Sequence, residues 1–176
     1  MAGKGSGKLK VTLPSDNEIL LARVFDAPRH LVWETITKPE YVRRWFCCMD
    51  GFTMPVCEID LRVGGKYRYL MLASDGSEVG FHGEYKELVA HQRIVHTEIF
   101  DPYPDSPALC TVTLEERDGK TYFQNLVQHT TKEARDMHVQ SGMETGADLA
   151  LDRVESIAQS LGAPTRGGDS TVHAVR

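Results

Sequence analysis

The chain has 176 residues, 20 basic against 25 acidic, and a sequence pI near 5.8. That length suits one domain burying about two-thirds of the surface its unfolded form exposes. The acidic balance argues against a nucleic-acid footprint, and no apolar run reaches the roughly 18 residues that cross a bilayer.

The opening stretch, MAGKGSGKLK, imitates a phosphate loop without being one. Leu9 stands where that motif needs Ser or Thr, and no strand precedes it. Residues 1–15 are expected to be a flexible tail. The next segment, VFDAPRHLVWETITKPEYVRRWF from Val24 to Phe46, changes period in its middle. A strand near 18–26 ends there. Pro28 then starts a helix over about 28–37, and Pro39 separates it from a shorter one over about 39–46.

The middle of the chain alternates in β-rich runs separated by turn signals, giving strands near 54–61, 66–73, 79–89, 93–101, 108–117 and 120–129. Asp75-Gly76 and Asp118-Gly119 are type I′ dipeptides. Gly64-Gly65 marks a tight turn or bulge, and DPYPDSP a looser Pro-rich turn. Nothing has the βαβ rhythm of a parallel sheet. Thr130 and Glu133 have capping-box spacing for a helix through KEARDMHV, which Gly142 breaks. A last helix near 143–161 carries Ala147, Leu151, Val154, Ala158 and Leu161 on one stripe and stops at Gly162, with Pro164 beyond. Such a helix needs an apolar partner, and the sheet is the one large enough. The class is therefore α+β, a bent antiparallel sheet of six or seven strands around the long C-terminal helix, with residues 163–176 as a second flexible tail.

Four cysteines, Cys47, Cys48, Cys57 and Cys110, lack both metal-knuckle spacing and a preceding signal peptide. Reduced thiols in a cytoplasm are expected, with no metal and no cofactor.

The segments already quoted, together with GGKYRY, DGSEVGFHGEYKEL, RIVHTEIF, DGKTYF and TKEARDMHVQSGMETGADLALDRVESIA, resemble in order the pattern of the heat-shock-protein-90 ATPase activator homologue family of the START-like (SRPBCC) superfamily. The resemblance runs from about Glu18 to Leu161. It implies a helix-grip fold similar to birch pollen allergen over residues 16–162, with a hydrophobic cavity between sheet and terminal helix. It also implies a superfamily range that includes lipid and hormone carriers, polyketide cyclases and dehydratases, and co-chaperones.

Within that frame the candidate cavity walls follow a period of two. Tyr67, Tyr69 and Met71 share one strand face, and Phe81 and Tyr85 another. Trp45 and Phe52 flank the Cys-Cys-Met-Asp-Gly loop at the expected lip, Met143 sits at the kink before the last helix, and Trp33 reads as core. Polar residues among apolar neighbours carry the chemistry: His96 and Glu98 share a face with Ile94 and Phe100, and Asn125 shares one with Phe123, Val127 and His129. Turned inward, His96, Glu98 and His129 are the candidate acid/base groups. The opposite register, toward which the balance tilts, buries Val95, Thr97 and Ile99 and sends His96 and Glu98 to solvent. The leading expectation is a monomer or homodimer holding a small apolar or amphipathic ligand. Two alternatives stay open: an enzyme of cyclase, dehydratase or isomerase type, and a co-chaperone-like interaction domain, ranked last because the chain lacks the second domain with which the eukaryotic activator clamps its chaperone.

Overall fold

The computed structural model describes residues 7–47 and 49–164. Cys48 and nearly all of the expected C-terminal tail therefore lie outside the described residues. Eight strands form one antiparallel sheet: β1 (Lys10–Thr12), β2 (Glu18–Phe25), β3 (Phe52–Ile59), β4 (Lys66–Ala73), β5 (Glu78–Val89), β6 (Arg93–Phe100), β7 (Ala108–Arg117) and β8 (Lys120–Gln128), in the order β1-β2-β8-β7-β6-β5-β4-β3. The sheet thus has one strand more than the upper expectation. The addition is β1, which pairs with β2 through Lys10↔Ala22 to Thr12↔Leu20, inside the segment expected to be tail.

The helices are α1 (Arg29–Thr37), α2 (Pro39–Trp45), α3 (Lys132–Gln140) and α4 (Met143–Gly162). Pro28 has the extended conformation of an N-cap, and its carbonyl accepts from the amides of Leu31 and Val32. The exposed amide of Arg29 is satisfied by the Glu116 carboxylate, so β7 anchors the start of α1. Lys38 is forced into an extended conformation by the proline that follows, which parts α1 from α2. At α3 the cap is Thr131, not Thr130: its Oγ1 accepts from the Ala134 amide at 3.1 Å. The chain stays tied to the sheet side one step longer, because the His129 amide donates to the Asn17 carbonyl.

Turn chemistry separates the two Asp-Gly hairpins. Asp118 and Gly119 both take positive φ, 54° and 74°, as type I′ requires. In the other hairpin only Gly76 does (86°), and its amide donates to the Ala73 carbonyl, which makes a longer loop of Ser74–Gly76 rather than the expected type I′ turn. Register shifts at Thr53/Val56 and Tyr85/Glu87 interrupt the ladders of the β3–β4–β5–β6 half, and such bulges bend and twist the strands that carry them.

α4 lies on the concave face. Leu151, Val154 and Ala158 pack in the main core with Phe25, Val112, Leu114 and Phe123. A smaller cluster of Ile19, Leu21, Ala108, Cys110 and Val127 meets the start of the same helix at Met143 and Ala147. The helix is also held by charge. Arg23 points inward from β2 at 4 % exposure, with Nη2 donating to Asp152 Oδ1 at 2.6 Å and to Glu155 Oε2 at 2.9 Å. Glu155, itself buried, accepts from the Asp26 amide through its other oxygen. A buried arginine between apolar Leu21 and Phe25 thus fixes where along β2 the helix rests.

Candidate functional site

Between the concave face and α4 lies a cavity of ≈ 380 Å³ that touches both core clusters. Its size falls in the range of small-molecule sites. β4 and β5 supply Tyr67, Tyr69, Met71, Phe81 and Tyr85 to its wall, and β8 supplies Asn125 and Val127. Met143 stands at the α4 end. The Pro-started helix pair delivers the aromatic corner: Trp45 is fixed by its indole N–H donating to the Thr35 carbonyl at 2.9 Å, and Phe46 lies 4.8 Å from Tyr69 and 5.4 Å from Phe81, centroid to centroid. Trp33 instead is buried in the core with its ring edge toward His91.

β6 turns His96 and Glu98 toward the cavity, the register opposite to the one that had the balance of expectation. Ile94 and Val95 are both buried, so this strand carries apolar side chains on both faces and its alternation does not announce which is concave. Beside His96 a tight polar cluster forms. The Tyr67 hydroxyl donates to the Thr97 carbonyl at 2.8 Å, and His96 Nδ1 lies 3.1 Å from that hydroxyl and 3.2 Å from the same carbonyl. A carbonyl only accepts, so the arrangement calls for the Nδ1–H tautomer, leaving Nε2 as an acceptor. Gly83 makes the approach feasible, since a Cβ there would overlap the Thr97 carbonyl and crowd the Tyr67 ring.

Glu98 stands apart from that cluster. Among the described residues it accepts no hydrogen bond and has no ion-pair partner, and burial alone pushes its carboxyl up to about 7. Burial also drives the imidazole of His96 down and the hydroxyls of Tyr67, Tyr69 and Tyr85 up, so both residue types are neutral near pH 7. Asn125 Oδ1 is a second unsatisfied acceptor on the wall.

Three sequence candidates lie off the wall. Phe100, at the end of β6, stacks on Phe81 at 5.0 Å and on Tyr103 at 5.9 Å, one step past Glu98. Phe52 starts the edge strand and packs against the core. His129 ends beyond β8, where its Nε2 meets His138 Nδ1 at 3.0 Å, and it is His138 from α3 that lines the cavity. Burial and then His129 push His138 down to about 4. Sequence reasoning missed His138 and Phe46 as wall residues. For Phe46 the signal was present in its adjacency to Trp45, whereas His138 sits in KEARDMHV, a helix dominated by charged residues.

Among the described residues no three His, Cys, Asp or Glu side chains converge as metal ligands, and no helix is long and apolar enough to cross a membrane. Cys57 and Cys110 are buried free thiols raised by burial.

The family model described as Activator of Hsp90 ATPase homolog 1-like protein matches residues 26–159. Solved structures with the same fold include a Rhodobacter sphaeroides protein (24% identity, 87% of this chain and 99% of that one, TM-score 0.81). A Nitrosomonas europaea protein superposes at TM-score 0.75 (21% identity, 86% and 100%). The AHSA1-like protein from Aeromonas hydrophila does so at 0.63 (20% identity, 81% and 94%). A search of the curated proteins found no match.

Proposed function

Because the chain belongs to the Activator of Hsp90 ATPase homolog 1-like family, within the START-like superfamily, we propose that it is a small-molecule binding protein whose apolar or amphipathic ligand sits between the sheet and α4. The observation that carries this reading is the ≈ 380 Å³ cavity, walled by tyrosines, phenylalanine and Trp45 but holding a few unsatisfied acceptors. Apolar walls give affinity by burial, and isolated polar groups give orientation. The reading places the protein in the cytoplasm, where the buried thiols of Cys57 and Cys110 stay reduced. Native mass spectrometry of protein purified from its host tests it: a bound small molecule, released on denaturation, is expected. Protein that carries no guest and whose unfolding temperature is unmoved by fatty acids, flavonoids and polyketides would contradict it, since saturating ligand adds about 2.7 kcal/mol at a hundred times its Kd.

One feature favours a second reading, a proton-transfer enzyme of cyclase, dehydratase or isomerase type. Glu98, held near 7, has the affinity of a general base working at neutral pH, with His96 on its own strand and Tyr67 on the β4 wall of the same cavity. Co-purified material that the protein converts to a product, and that Glu98→Gln leaves unchanged, would move the assignment to this class. A chaperone-directed role rests on the family description alone.

A further inference from the structure

We propose that the cavity selects ligands bearing a protonated amine, seated against the Glu98 carboxylate with the apolar remainder in the aromatic corner of Trp45, Phe46, Tyr69 and Phe81. The inference rests on the binding-protein reading above and deepens it by naming the ligand's polar end.

Charge complementarity carries it. Among the described residues lining the cavity there is one carboxylate and no lysine or arginine. The carboxylate is that of Glu98, and it has no protein partner. A carboxylate in an apolar wall is costly to leave unpaired, and this protein supplies nothing to pair it. A polar atom on the same strand points the same way. His96, with Nδ1–H turned to the Tyr67–Thr97 pair, leaves Nε2 as an acceptor, and farther along the wall, level with Ile94, Asn125 Oδ1 is an unsatisfied acceptor. A guest therefore needs donors, which an ammonium has and a carboxylate lacks. The aromatic corner adds ring faces that attract a cation. One feature runs against the inference: α4 begins at the cavity, where its positive end favours anions, but Glu144 sits in that first turn and offsets it.

The groups facing Glu98 are Tyr67 and Tyr69 from β4 and Cys110 from β7, with His96 on its own strand and His138 from α3 in the same cavity. Tyrosine and thiol are raised and both imidazoles lowered, so Glu98 is the group that changes charge near neutrality. Amine affinity should accordingly be greatest at about pH 8 and fall as the pH drops through Glu98's titration, while a neutral ligand's affinity stays level.

The test titrates the full chain by calorimetry with three probes of one shape, phenylbutylamine, phenylbutanol and phenylbutanoate, and displaces a neutral naphthyl dye with each. The amine is expected to bind at least about tenfold tighter than the alcohol at about pH 8. Glu98→Gln should erase that margin, amine and alcohol then binding the variant alike. Loss of the margin in wild-type protein at about pH 5 gives the same readout without a mutant, should the variant fold poorly. An amine that binds no better than the alcohol, or a carboxylate that binds best, overturns this inference and leaves the cavity reading standing. Failure of all three probes and of the dye overturns both.

Discussion

Glu98 is the residue at which burial and chemistry conflict most openly. Its carboxyl holds a proton more tightly in the folded chain, about 7 against an ordinary 4.5, so its contribution to stability is complete below about pH 4.5 and is lost as the pH rises through 7. Replacing it by the neutral amide removes that loss. Glu98→Gln is expected to match wild type at about pH 4 and to exceed it by roughly 2–3 kcal/mol at about pH 8, read by urea unfolding at both pH values, the figure trimmed for water reaching the cavity. Subtracting the two proteins cancels His138, whose lowered affinity works in the opposite direction. Arg23 is the complementary case, a buried charge held through Nη2 by two carboxylates while its Nε and Nη1 make no hydrogen bond. Arg23→Ala breaks the buried ion pair with Glu155 and is expected to cost about 3–5 kcal/mol. Asp148→Ala should change stability by less than about 1 kcal/mol, because that carboxylate is 53 % exposed and 3.6 Å from the guanidinium. Equal effects of the two substitutions would mean that the network is not centred on Glu155.

The secondary elements were the most legible part of the sequence, and the reasons are local. β4, β7 and β8 carry clean alternation between Gly-, Pro- and Asp-marked turns, and their spans agree with the expected ones to within a residue. β1 was not legible because its three residues have no pattern of their own and exist as a strand through pairing with the edge of β2. The α3 cap was misplaced by one residue because Thr130 and Thr131 offer the same hydroxyl, and the hydrogen bond from the His129 amide to Asn17 decides between them. Gly142 joins α3 to α4 with φ of 81° and no atom within 4 Å of where a Cβ would stand. Gly142→Ala is therefore expected to cost about 1 kcal/mol from backbone conformation alone, measured as a drop in Tm with unchanged helical circular dichroism. A cost several times larger would show that the joint is packed rather than open.

At the scale of the whole molecule, the grip of a bent sheet on one long helix leaves a gap where the two core clusters fail to merge. The α4 stripe through Ala147, Leu151 and Val154 could be read from the sequence, as could most of the aromatic wall, because each follows its element's own period. The inward register of β6 could not, since both of its faces carry buried apolar residues, and neither could His138, whose place depends on how α3 packs against α4 and meets His129. Ala147→Phe should fill the gap from the helix side and abolish guest binding while the fold persists. The most direct test of the gap as a binding site is a two-dimensional amide NMR titration of the ¹⁵N-labelled chain with phenylbutanol, a neutral probe. The account predicts saturable shifts in β4, β5, β6 and the first half of α4 that disappear in Ala147→Phe. Shifts confined to the groove on the other side of the sheet at Arg68, His82 and Asp101, or no saturable shifts at all, would contradict it.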